Sequence, residues 1–164
     1  MSYRYNPRVS QKLSYAHFFQ DQIDSVDSVH LDSINVLATE EAVVFELVNV
    51  LSAFLNEIAD NYGLNFNGTD VDRLSQELKQ RDIVSAEVAE ILLLVSSNGW
   101  LSGLLTQHGI NCAGGSQASS NDTAQPLRFV EPTTSSGRSS VGSRYWLSQL
   151  SELIDRHREG LVEW

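Results

Sequence analysis

Few residues in this chain combine the type and spacing that chemistry requires. Asp27 and His30 stand three apart, the offset at which a helix presents a carboxylate and an imidazole to a bound metal ion. The stretch Asp27-Ser28-Val29-His30 reads as a turn, however, and brings no inward-facing glutamates with it. His17 and Asp21 are four apart on one predicted helix, the spacing of a surface pair. His157 falls on an apolar seam, where an imidazole more often packs with one nitrogen satisfied than moves protons. Acid–base catalysis there needs a positioned carboxylate in a cleft, and Glu152, Asp155 and Glu159 are neighbours in sequence only. The single cysteine, Cys112, has Asn111 and Ala113-Gly114-Gly115 beside it and no cation to favour a thiolate. Ala113-Gly114-Gly115-Ser116 lacks the lysine of a phosphate-binding loop, and no Gly-x-Ser-x-Gly elbow occurs. The residues therefore predict no catalytic set, no cofactor and no metal, and the chain reads as a non-enzyme.

Charge carries more information. The net charge is −10, and no Lys or Arg occurs between Lys12 and Arg73. The same stretch holds Asp21, Asp24, Glu40, Glu41, Glu46, Glu57, Asp60, Asp70 and Asp72, with Asp27 and Asp32. Such a surface repels nucleic acid and anionic lipid and attracts basic protein patches. The small basic-aromatic group of Tyr3, Arg4, Tyr5, Arg8 and Lys12 does not reverse that balance. A solvated face that aids solubility is the plain alternative. The candidate interaction residues are Asp21, Asp24, Glu40, Glu41 and Trp164, and the expected partner is an unidentified basic protein rather than nucleic acid or a membrane. Trp164 beside Glu163 either closes one end of the fold or offers an aromatic and a carboxylate to a partner's groove. Two other readings stay open: a small-ligand or metal-dependent enzyme site inside a helical bundle, and an acidic mimic of nucleic acid.

The elements that must position these residues are helical. Asn6 and Pro7 start the first, with a side-chain acceptor at the cap and a proline whose missing N–H loses nothing. Val9, Leu13, Ala16, Phe19, Ile23 and Val26 then recur at spacings of three and four. The expected helices are 6–27, 30–62, 69–79, 85–108 and 143–163, with Thr39 as a second possible start for the second one. Its stripe runs through Val44, Leu47, Leu51, Phe54, Leu55, Ile58 and Tyr62, and Gly63 offers a left-handed stop. Thr69 and Ser85 are the expected caps of the next two, and Gly109 the expected stop of the fourth. Residues 86–95 are apolar on nearly every side, which predicts the most buried element. Ser96-Ser97-Asn98-Gly99 should interrupt it. Residues 111–142 are rich in Ser, Thr and Gly, a mobile connection whose possible anchor is Leu127-Arg128-Phe129-Val130. The expected fold is an all-α, three- to four-helix bundle forming one domain over 1–164, with this long Ser/Gly-rich connection before the last helix.

Bulk composition agrees. At 164 residues and 41% hydrophobic content, one core can be buried. The longest uninterrupted apolar run, Ile91 to Val95, falls short of the ~20 residues of a membrane span. The first residues lack the apolar core of an export signal. A lone cysteine suits a reducing compartment, so the expected location is cytoplasmic.

Three segments together resemble a known group of proteins. They are Asn6-Pro7-Arg8-Val9-Ser10-Gln11-Lys12-Leu13-Ser14-Tyr15-Ala16; the helix through Glu40, Glu41, Ala42, Phe45 and Glu57-Ile58-Ala59; and Arg158-Glu159-Gly160-Leu161-Val162-Glu163-Trp164. The group is an uncharacterised family of small helical proteins from gammaproteobacteria, a domain of unknown function ending in Arg-Glu-Gly-Leu-x-Glu-Trp. That last motif is the most specific of the three. The resemblance implies a helical fold; the family carries no established activity, so it transfers no catalytic residues. His157 departs from it, standing where an aromatic residue is expected.

Overall fold

A computed structural model of the chain describes residues 6–26, 34–113 and 139–160. Asp27–His30, Trp164 and nearly all of the expected connection lie outside the described residues. The described residues form six α-helices and no strand: α1 (Pro7–Asp24), α2 (Ile34–Asn61), α3 (Val71–Lys79), α4 (Ala86–Ser96), α5 (Trp100–Cys112) and α6 (Ser139–Gly160). The all-α expectation holds, but six helices replace the expected three or four.

Local chemistry explains most boundaries. Asn6 caps α1, its Oδ1 accepting from Arg8 N at 2.9 Å with Pro7 behind it. Ser85 caps α4 by accepting from Val88 N at 3.2 Å. Gly63 stops α2 at φ +67°, a conformation that costs a glycine little. The cap of α3 is Asp70, which accepts from Arg73 N at 3.0 Å, and not Thr69. A carboxylate at that position also complements the positive end of the helix dipole. Gly109 does not stop α5. Its carbonyl accepts from Ala113 N at 3.0 Å and the helix runs on to Cys112. A glycine inside a helix costs about 1 kcal/mol and need not break it.

The interruption after Ser96 accounts for the sixth helix. Asn98 takes φ +54°, and a β-carbon on Gly99 would sit 3.0 Å from the Leu94 carbonyl oxygen. The chain turns there by 64° between α4 and α5.

Side-chain bonds fix the directions of the main helices. Asp24, at the end of α1, meets Arg144 near the start of α6. Glu57, near the end of α2, meets both Asn6 and Arg158. Thus α1 runs antiparallel to α2 and α6. Helix α5 returns along α2 and α6, and α3 packs chiefly on α4. Trp146 lies against Gly103 of α5, where an added β-carbon would sit 3.7 Å from the indole ring. Gly160 has no such neighbour within 4 Å among the described residues.

Helix α2 supplies the centre of the core. Val43, Leu47, Val50, Leu51, Phe54, Leu55 and Ala59 have no solvent exposure, and Ile58 almost none. The expectation for residues 86–95 is corrected: only Glu87, Val88 and Ile91 of α4 are buried, and Leu93 is 64% exposed. Helix α4 sits at the side of the assembly, so its apolar outer face has no neighbour among the described residues. By length and composition α2 is apolar enough to cross a membrane, although 72% of that stretch is buried inside the fold. Scattered Glu residues hide this from a search for uninterrupted apolar runs.

Candidate functional site

The deepest polar contact joins all three segments that carry the resemblance. Glu57 has no solvent exposure. Its Oε1 accepts from Arg158 Nε at 3.0 Å, and its Oε2 from Arg158 at 2.6 Å and from the Asn6 backbone N–H at 2.8 Å. A two-pronged guanidinium pair with a third donor satisfies a carboxylate that burial would otherwise make very unfavourable. These three donors all point at the carboxylate, so the arrangement serves structure. A second partly buried pair, Lys12 with Glu46 at 2.9 Å, joins α1 to α2.

At the opposite end of α1, Gln20 and Ser143 are buried. Ser143 Oγ donates to Gln20 Oε1 at 2.8 Å, Gln20 Nε2 donates to Asp24 Oδ1 at 2.9 Å, and Arg144 closes the chain on Asp24 at 2.5 Å. Burial opposes ionisation of Asp24, yet the hydrogen bonds and charge of Arg144 and the amide of Gln20 outweigh it and hold the carboxyl below its usual range. Tyr62 shifts the other way. Burial leads, Ser85 opposes, and the adjacent Glu87 carboxylate adds to a phenol pushed upward. Tyr62 donates to Glu87 at 3.4 Å while Ser85 Oγ donates to the same oxygen at 2.6 Å.

His157 is 12% exposed, its ring 6.2 Å from that of Phe54. Its Nε2 lies 3.0 Å from Glu90 Oε2, within reach of an ion pair when protonated but not aligned as a hydrogen bond. Arg156 holds the other Glu90 oxygen. The histidine is therefore a packed residue beside a carboxylate already engaged. His17 and Asp21 are both exposed on α1 and make no ion pair among the described residues. Among the described residues, no group of three or more His, Cys, Asp and Glu could hold a metal ion.

Two of the concave surfaces among the described residues lie where α5 ends against the first half of α2. One cleft of about 330 Å³ is lined by Ala38, Glu41, Ala42, Phe45, His108 and Cys112, with Asn111. A second, of about 210 Å³, is lined by Leu37, Glu40, Val44, Gln107 and Ser143, again with Glu41 and Asn111. The two flank the α2–α5 contact and meet at Glu41 and Asn111. Phe45 is 53% exposed and stacks on His108 at 6.2 Å between ring centres. Ile34 and Leu37 extend the apolar edge along α2. Cys112 Sγ stands 3.6 Å from His108 Nε2. The sequence singled out neither Phe45 nor His108 as a site residue. The signal available was an apolar stripe on α2 wider than one core can cover, with Phe45 at its edge.

The candidate acidic residues separate in the structure. Asp21 and Glu41 are exposed and make no ion pair among the described residues. Asp24 is engaged by Arg144, and Glu40 is buried beside the second cleft. Trp164 lies outside the described residues. The continuous acidic face expected from the sequence is thus reduced, because Glu46 and Glu57 are also turned inward onto Lys12 and Arg158.

A model for a family of unknown function (DUF6586) matches residues 1–164. No curated protein and no solved structure matches the chain.

Proposed function

We propose, starting from the fact that the chain belongs to this family of unknown function, that it is a non-enzymatic accessory protein that engages a basic protein partner through its acidic surface. One observation carries the reading: five of the eight described Lys and Arg residues pair with carboxylates of the same chain, while several carboxylates stay exposed and make no ion pair among the described residues. Lys12, Arg73, Arg144, Arg156 and Arg158 each pair with a carboxylate of the same chain. Asp21, Glu41, Asp60 and Asp72 are exposed and make no ion pair among the described residues. Unscreened surface carboxylates steer cationic partners and weaken with salt over a Debye length of about 8–10 Å. The reading carries with it a cytoplasmic setting, supported by the lone cysteine. For the architecture, we read α1, α2, α6 and the bent α4–α5 pair as four struts of a bundle with α3 attached outside.

The test is affinity capture from a lysate of the source cell at low and high salt, with Asp21→Lys/Glu41→Lys as the control. A basic protein held at low salt, released at high salt and missed by the reversed protein supports the proposal. Capture that ignores both salt and charge reversal overturns it.

A further inference from the structure

We infer that the paired clefts at the α2–α5 contact are a docking groove for an amphipathic helix of basic character. The inference rests on the acidic-surface reading and adds where and how the partner sits. Two observations lead to this occupant. The clefts present apolar walls, Leu37, Ala38, Ala42, Val44 and Phe45, on either side of one helix contact. Half-exposed Phe45 and Leu37 stand at their edges. Two apolar side chains one helical turn apart, about 6 Å between β-carbons, can fill one cleft each, as in other helix-in-groove complexes.

The charge around the groove selects the partner's sign. Glu41 is exposed and stands at the junction of the clefts, with Glu40 on the wall of one. Neither α2 nor α5 contributes a Lys or Arg. The last turn of α5 carries no basic residue, and its C-terminal carbonyls lie beside the groove, so the negative end of that helix dipole adds to the carboxylates. A second copy of this acidic chain would set like charges against Glu41, and an acidic or neutral helix would leave it uncompensated.

A defined probe tests this on the intact chain. A fluorescein-labelled 14-residue Leu/Lys peptide, with leucines at i, i+4 and i+7, is titrated by anisotropy. A Leu/Lys peptide with scrambled leucine spacing and a Leu/Glu isomer serve as comparisons. Alkylation of exposed Cys112, a native thiol on the wall of the first cleft, reports whether the groove itself is covered. The expected result is saturable binding of the Leu/Lys peptide at least about tenfold tighter than either comparison, with Cys112 alkylation slowed by a similar factor. Phe45→Ala and Glu41→Lys should each weaken binding about tenfold, and Leu93→Ala, on the far-side apolar face, should not change it. Equal binding of the comparison peptides, unchanged binding by Phe45→Ala, or unprotected Cys112 overturns the groove. So does a free protein that sediments as a dimer dissociated by Phe45→Ala, or one in which Cys112 is already shielded. The failures are separable. Salt-dependent binding lost in Asp21→Lys/Glu41→Lys but kept in Phe45→Ala retains the acidic surface and removes only the groove.

Discussion

Glu57 shows how much one residue can commit. A carboxylate with no exposure is held by a guanidinium from α6 and a backbone N–H at the head of α1. Removing it by Glu57→Ala takes from Arg158, itself mostly buried, the carboxylate that grips its guanidinium at two points. The expected cost is about 3–5 kcal/mol of unfolding free energy, read from urea denaturation. A loss below about 1 kcal/mol would mean that solvent screens the pair as it does at a surface. The two shifted groups make opposite pH predictions. Asp24 is held below its ordinary 3.8, so its contribution is present above that pH and lost as pH falls through the lowered value. Asp24→Asn should flatten that acid limb of the stability profile, modestly, because the side chain is about a third exposed. Tyr62 is raised above its ordinary 10.0. Its contribution is present below pH 10 and is lost as pH rises through the raised value. Tyr62→Phe should remove that alkaline limb, and an unchanged alkaline limb would show that Tyr62 does not set it.

At the scale of elements, α2 and the α4–α5 turn define the architecture. Phe54 is fully enclosed, and Phe54→Ala should cost about 3–5 kcal/mol by thermal or chemical unfolding, from lost transfer energy and a residual cavity. The turn is a steric device. A β-carbon at Gly99 meets the Leu94 carbonyl oxygen at 3.0 Å, so Gly99→Ala should destabilise by about 1 kcal/mol or relax the bend. Asn98 at φ +54° tolerates glycine, whereas Asn98→Val should cost more than Gly99→Ala, since β-branched residues resist the left-handed region. A urea series on the three variants orders them directly. Helix α4 behaves otherwise: Leu93 faces outward, and Leu93→Ser should change stability by less than about 0.5 kcal/mol.

At the scale of the molecule, the distribution of charge matters more than its total. The net −10 already counts the cations that pair with Glu46, Glu57 and Asp24, so those pairs change where the charge lies and not how much of it there is. What remains is a set of separate exposed carboxylates, with Glu41 at the mouth of an apolar groove. Partner affinity should therefore fall with salt, but less steeply than for a continuous polyanionic face. A salt titration of the captured complex measures that slope. A slope of the size seen for nucleic acid would instead favour the mimicry reading.

Features that depend on neighbours along the chain are legible without the fold. The Asn6-Pro7 start, the Ser85 cap, the Gly63 stop, the apolar stripe of α2 and the break before Gly99 are all decided by local hydrogen bonds and backbone sterics. Residues a few positions apart suffice to show them. The cap of α3 at Asp70 and the continuation of α5 through Gly109 were misread because competing local signals differ by only about 1 kcal/mol. Where each side chain's distant partner lies depends instead on how the helices pack. Nothing near Glu57 in sequence announces Arg158, a hundred and one residues away, or that an apparently surface acid is enclosed. Nothing in residues 86–95 reveals that the fold leaves one face of that apolar helix uncovered. Nor could periodicity join Phe45 to His108, because helix pairing across long separations depends on how whole faces pack, and that packing decides which charges remain for a partner.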